Sequence, residues 1–200
     1  MREELLRLHD RLQATIIYVT HDQIEAMTMG SRIVLLRDGV VQQIGAPQDV
    51  YDHPLNTFVA GFLGSPSINF FEGQLARRDD KWVFAAPDIE LTLPAEVVAK
   101  INGSEERLGE INQATIGVRP ENFKLADAQN SSVKGQISLV ELVGSDKYVY
   151  IDMPAGHCLV STSPWFQLKK GDTVGLEPDW DHFQLLDEDG KSLFWGGSSN

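Results

Sequence analysis

Gly190-Lys191-Ser192 carries the tail of a phosphate-cradling loop, in which backbone amides and a lysine would hold a nucleotide's phosphates. The full pattern, G-x-x-x-x-G-K-S, needs glycine at position 185, where Leu185 stands. A hairpin turn is the better reading. Histidine and cysteine are the usual zinc ligands, but His9, His21, His53, His157 and His182 are scattered and Cys158 is the single cysteine, so no ligand spacing forms. Asp187-Glu188-Asp189, and Glu177 with Asp179 and Asp181, lack the alternating acid and glycine positions of an EF-hand loop and read as solvated turns. No metal site is expected. No serine sits in a G-x-S-x-G elbow, and His157 beside Cys158 points to the opposite face if the segment is a strand. Cys158 therefore reads as a buried, inert thiol.

His21 stands apart from these. It follows Thr15–Thr20, a β-branched and aromatic run with the pattern of a strand buried on both faces in a parallel sheet. It precedes Asp22, which with Glu25 three residues later has capping-box spacing and starts a helix through Met29. An imidazole there would lie at the carboxyl edge of the sheet, where α/β proteins bind ligands.

The elements that must hold it follow from periodicity. Leu5, Leu8 and Leu12 lie on one face of an amphipathic helix that needs a partner surface. Arg32–Arg37 and Val40–Ile44 flank Asp38-Gly39, a hairpin signal. One short helix opens at Pro47, and another after Pro54 carries Phe58, Val59, Phe62 and Leu63. Gly64-Ser-Pro66 breaks the pattern, and a domain boundary is expected there. Beyond it, Phe70–Leu75, Trp82–Ala85, Ile89–Leu93, Ala114–Val118, Val133–Leu142, Tyr148–Met153, Cys158–Thr162, Thr173–Leu176 and Phe183–Leu186 read as strands of a small barrel or sandwich, with one helix over Ala95–Ile101. Its expected core includes Phe70, Val83, Ile116, Ile137, Leu139, Val149, Ile151 and Leu185. Trp165, Phe166, Trp180, Phe183, Phe194 and Trp195 make the final third unusually aromatic, a supply for core or interface.

The segment Ile17-Tyr-Val-Thr-His-Asp-Gln-Ile-Glu-Ala-Met-Thr28 closely resembles the switch-histidine segment of ABC-transporter ATP-binding subunits, in particular the maltose and glycerol-3-phosphate importer class. Asp38-Gly39, Gln43-Ile-Gly-Ala-Pro47, Phe58-Val-Ala60 and Gly64-Ser-Pro66 with Asn69-Phe70 resemble the same family's exit from the nucleotide domain. Ile116-Gly-Val-Arg-Pro-Glu121, Gly144 with Tyr148-Val149, and Lys170-Gly-Asp-Thr-Val174 resemble its accessory TOBE barrel, an oligonucleotide-binding-like fold.

The resemblance implies an α+β chain: residues 1–64 as the tail of a RecA-like α/β nucleotide domain, and residues 65–200 as a mainly-β OB-like regulatory barrel. It also implies that His21 contacts the ATP γ-phosphate and helps orient the attacking water, with ATP and Mg held by the complete protein. The family's Walker A loop, glutamine loop, L-S-G-G-Q signature, Walker B strand and catalytic glutamate precede the switch histidine, and none occurs here. A carboxy-terminal fragment is therefore expected, inactive alone, with His21 its one ATP-site residue. Implied partners are a second copy, transmembrane permease subunits and a regulatory protein docking on the barrel. The implied location is the cytoplasmic face of the membrane, reached through the permease. Arg119-Pro120-Glu121 is either an interdomain or dimer contact or a strand-ending turn stiffened by proline.

Composition limits the rivals. The 17 basic and 29 acidic residues leave a net charge of −12, and residues 65–200 carry 12 basic and 21 acidic side chains. That is the wrong sign for nucleic acid despite the barrel's name. An autonomous oxyanion- or sugar-binding barrel would have only Arg119, Lys124 and Lys134 among many acids, and an ATPase completed by another chain would need the missing half in trans. Apolar runs fall far short of the roughly 18 residues that span a bilayer, and charged Arg2, Glu3 and Glu4 follow Met1, so neither a signal peptide nor a span is expected. One cysteine fits a reducing compartment, which makes the Asn102 and Asn130 sequons chance matches.

Overall fold

A computed structural model describes residues 2–101 and 104–194; Asn102 and Trp195 lie outside the described residues. The chain divides into two compact units between Gly64 and Ser65.

The first unit contains α1 (Arg2–Leu12), α2 (Gln23–Met29), β1 (Ile33–Arg37), β2 (Val40–Gly45), α3 (Pro47–Asp52) and α4 (Thr57–Phe62). The turn between β1 and β2 places Asp38 at φ 52° and Gly39 at φ 78°, the left-handed pair that matches the twist of a two-residue hairpin. Asn56 caps α4 by accepting the Val59 amide at 2.9 Å. Gln43 on β2 ties down the connection between the last two helices: its Nε2 donates to the His53 carbonyl and its Oε1 accepts the Leu55 amide. Ile33, Leu35, Val50, Val59 and Leu63 form the small core.

Two expectations for this unit change. α1 buries no residue: Leu5 is only half-buried beside α2, and Leu8 and Leu12 of its stripe are exposed. Thr15–Thr20 forms no strand: Ile17 and Val19 are 89% and 83% exposed. A strand exists by its ladder, and among the described residues no neighbour offers one to this run. The composition is that of a buried strand, but composition cannot supply the adjacent backbone.

In the second unit, β3 (Asn69–Arg78), β4 (Lys81–Ala86), β5 (Ile89–Thr92), β6 (Gln113–Val118) and β12 (Phe183–Leu186) form a sheet in the order β12-β6-β3-β4-β5. β7 (Phe123–Ala126), β8 (Val133–Val143), β9 (Asp146–Met153), β10 (Gly156–Thr162) and β11 (Thr173–Pro178) form the other, in the order β10-β9-β8-β11-β7. Every pairing is antiparallel. Helices α5 (Ala95–Lys100) and α6 (Ser104–Gly109) lie between β5 and β6. The two sheets share one core, with Phe84, Ile116 and Leu185 from the first and Ile137, Val149, Ile151 and Leu176 from the second. This is the OB-like barrel segment of a mainly-β chain, with α6 and β7 as additions to the predicted elements.

Two expected core residues point outward, each for a reason of register. Phe70 is exposed because side chains alternate along β3, and Asn69, Phe71 and Leu75 take the inner positions. Leu139 is exposed because the β8–β9 register shifts between Ile137 and Leu139. Ser138 is the extra residue of this bulge, and the inner face passes to Val140, opposite Val149. Gly135 is required on the same strand, since a Cβ there would come within 2.3 Å of Ile151 Cγ2 and 2.7 Å of Met153 Cγ.

The aromatics of the final third divide. Trp180, Phe183 and Phe194 meet edge to face with centroids 5.1 and 5.3 Å apart, packed on or in the core. Trp165 and Phe166 are exposed.

Candidate functional site

His21 occupies the bend between the Thr15–Thr20 run and α2, with its side chain exposed. Its neighbours on both sides are anchored. Asp22 caps α2, its Oδ1 accepting the Ile24 amide at 2.8 Å and the Glu25 amide at 3.2 Å. The Asp22 amide donates to Thr20 Oγ1 at 3.0 Å, and that hydroxyl donates to Glu25 Oε2 at 2.6 Å. Tyr18 adds its hydroxyl to the same carboxylate at 3.1 Å, and this bond raises the Tyr18 pKa above its ordinary value. Gln23 Oε1 accepts the Gly64 amide at 3.0 Å, which holds the first turn of α2 to the end of the unit. The effect is to fix the backbone on either side of His21 while the imidazole has no hydrogen-bond partner among the described residues.

This departs from the expected capping box. Asp22 performs its half, but Glu25 does not reach back to the Asp22 amide; Thr20 takes that role, and Glu25 is used to hold Thr20 and Tyr18. Sequence reading missed Thr20, whose only signal was a hydroxyl two residues before the cap.

The other candidates stay apart from chemistry. The Gly190-Lys191-Ser192 triplet is a turn: Gly190 has φ 73°, and Asp187 Oδ1 accepts the Asp189 and Lys191 amides at 3.1 and 2.8 Å. Those amides are directed to the chain's own carboxylate rather than to a phosphate. No cluster of three metal-ligating side chains occurs among the described residues. Arg119 is only 4% exposed, where β6 passes into a 3-10 turn at Pro120–Asn122, while Glu121 beside it is exposed. The space inside the barrel lined by Phe71, Phe84, Ile116, Phe123 and Val133 has no polar side chain to orient an oxyanion. His157 is exposed and pairs with Asp152 at 2.8 Å; this bond, joined by one from Ser138, lowers the Asp152 pKa.

Cys158 is 2% exposed, and burial pushes its thiol from the ordinary 9.0 up to about 12. The folded chain thus holds this proton more tightly than the unfolded chain does. The associated stability is fully present below about pH 9 and is lost as the pH climbs from about 9 towards 12. At pH 8 a thiol reagent is expected to modify the native chain at least roughly 100-fold more slowly than the urea-unfolded chain, because thiolate and access are both withheld. Equal rates would place this thiol at the surface.

Residues 64–123 match the MalK OB fold domain family and residues 116–186 match the TOBE domain family. The matches overlap from the end of β6 to the start of β7 and together run through nearly the whole second unit. Longer relatives extend the likeness across both units. The oligosaccharides import ATP-binding protein MsmX of Bacillus subtilis is 40% identical over 190 residues, covering 92% of this chain and 50% of MsmX. This chain is a homologue of ABC-importer ATP-binding subunits. The osmoprotective compounds uptake ATP-binding protein GgtA of Synechocystis is 37% identical over 194 residues, covering 94% of this chain and 51% of GgtA. The chain spans about half the length of these curated relatives. Among solved structures, the molybdate-bound cytoplasmic protein ModG superposes on 58% of this chain and 94% of its own at 12% identity, with a TM-score of 0.40, too loose to carry an argument. No helix among the described residues is long and apolar enough to cross a membrane.

Proposed function

We propose that this chain works within the ATP-hydrolysing subunit of a carbohydrate-type ABC importer, where the first unit presents His21 to the γ-phosphate and the barrel serves dimerisation and regulation. The observation that carries this reading is the clamped bend: Thr20 and Asp22 are held on either side of an imidazole that has no hydrogen-bond partner among the described residues. An imidazole so placed can donate a hydrogen bond to a phosphoryl oxygen as charge develops there, and it can orient water. ATP and Mg²⁺ also need a phosphate cradle and carboxylates. The one triplet here that resembles a cradle directs its amides to Asp187, so those groups must come from sequence matching the other half of the relatives. The solute is left to other subunits, in keeping with relatives named for oligosaccharides and for osmoprotective compounds. Permease subunits, a second copy and a regulatory protein are the partners this reading calls for, at the cytoplasmic face of the membrane.

The test is a chimera in which this chain replaces the corresponding carboxy-terminal half of MsmX. The chimera should hydrolyse ATP, and the 200-residue chain alone should not. A correctly folded chimera without ATPase activity would overturn the proposal.

A further inference from the structure

The barrel has an unfinished edge. β8 runs over Val133–Val143, but β11 accompanies it only from Val133, opposite Leu176, to Gln136, opposite Thr173. Two backbone bonds at Ile137 close that side: its amide donates to the Asp172 carbonyl, and its carbonyl accepts the Gly171 amide. After the bulge at Ser138, residues Leu139–Val143 pair with β9 on one side and, among the described residues, with no strand on the other. Such an edge presents N–H and C=O groups at strand spacing, a template for another strand. Protective features of natural edges are sparse here: the stretch has no proline or lysine, and Leu142 is 67% exposed.

Side-chain register defines what would fit. Leu139, Glu141 and Val143 stand opposite Tyr150, Tyr148 and Asp146, so they share the outer face. The bulged register turns Leu139 outward, which leaves an apolar, acidic, apolar series at alternate positions. Glu141 accepts the Tyr150 hydroxyl at 3.0 Å, and Asp146 lies at the hairpin tip, so the outer face here is anionic. Antiparallel pairing of this edge with a second copy, keeping like faces together, sets Glu141 opposite Glu141, Leu139 or Val143. Each of these registers leaves a carboxylate facing a like charge or apolar surface without a counter-ion. A different chain with a cation at the central position meets no such conflict.

We propose that Leu139–Val143 is a β-augmentation site for an extended segment of a partner protein, with apolar residues at alternate positions and a lysine or arginine between them opposite Glu141. The backbone ladder supplies affinity, Leu139 and Val143 supply apolar contact, and Glu141 selects the cation.

The probes are two end-capped heptapeptides, Thr-Val-Thr-Lys-Thr-Val-Thr and the same peptide with Glu replacing Lys, titrated into the full chain and followed by amide NMR and hydrogen exchange. The Lys peptide should give saturable shifts and slowed exchange centred on Leu139–Val143. The Glu peptide should bind about three- to fivefold more weakly, the scale of one exposed cross-strand charge pair, and Glu141→Lys should reverse the preference. No saturable change at millimolar peptide, equal binding of both peptides to the native chain, or a preference unmoved by Glu141→Lys would each overturn the proposal. So would edge protection that rises with protein concentration in the absence of peptide, since that assigns the edge to a second copy.

Discussion

Replacing His21 by alanine in the MsmX chimera is expected to lower ATP turnover by about 100-fold or more, with ATP affinity changed by less than about threefold. The separation of the two effects follows from local geometry. Nothing that shapes the bend uses the imidazole: Thr20 is held by Glu25, the Asp22 amide by Thr20, and the first turn of α2 by the Asp22 carboxylate. Alanine therefore removes a proton donor and leaves the backbone in place. Asp22→Ala acts by another route, because it removes the acceptor of two amides and loosens the start of α2 at a cost of about 1 kcal/mol. It should slow turnover less than His21→Ala does, and Asp22→Asn, which retains an accepting oxygen, should restore most of the loss. Normal turnover in His21→Ala would make the histidine a loop residue and leave the proposed role without a carrier.

How much of this could be read from the residues depends on whether the deciding interaction is local. The Asp38-Gly39 turn, the Asp22 cap and the proline-led α3 are set within four residues, and each stands where the pattern puts it. Parity along a strand is set elsewhere. Phe70 and Phe71 are chemically equal, and the choice of Phe71 for the core comes with the burial of Asn69, whose partners lie 49 and 90 residues away. Leu139 fails as a core residue because one extra residue, Ser138, enters a register that no local pattern announces. Thr15–Thr20 is the converse case: its composition states what surroundings it needs, and the described chain does not supply them. For the candidate site, His21 and its acidic cap were legible, while the Thr20–Glu25–Tyr18 network that clamps the bend was not, since side-chain hydroxyl bonds leave no periodic trace.

Asn69→Ala is expected to destabilise the barrel by about 2–4 kcal/mol, the largest stability loss anticipated for a single truncation in the second unit. The amide of this side chain does the work of a missing strand. Asn69 Oδ1 accepts the Leu159 amide at 2.7 Å and Nδ2 donates to the Leu159 carbonyl at 2.9 Å, so one residue on the outer edge of β10 is satisfied as though paired. Nδ2 also donates to the Val118 carbonyl at 3.0 Å, on β6 of the other sheet. Asn69 is only 9% exposed, so alanine removes three hydrogen bonds from a site where water can only partly replace them. Leucine should be no better than alanine, because it restores volume without a donor or acceptor. Asp should recover less than Asn, because a carboxylate can accept the Leu159 amide but cannot donate to either carbonyl. All four tryptophans lie beyond position 64, so tryptophan emission during urea unfolding of the full chain reports on the barrel alone. An unfolding midpoint for Asn69→Ala equal to that of the native chain, at unchanged slope, would show that the two sheets are held by their apolar core without this clasp.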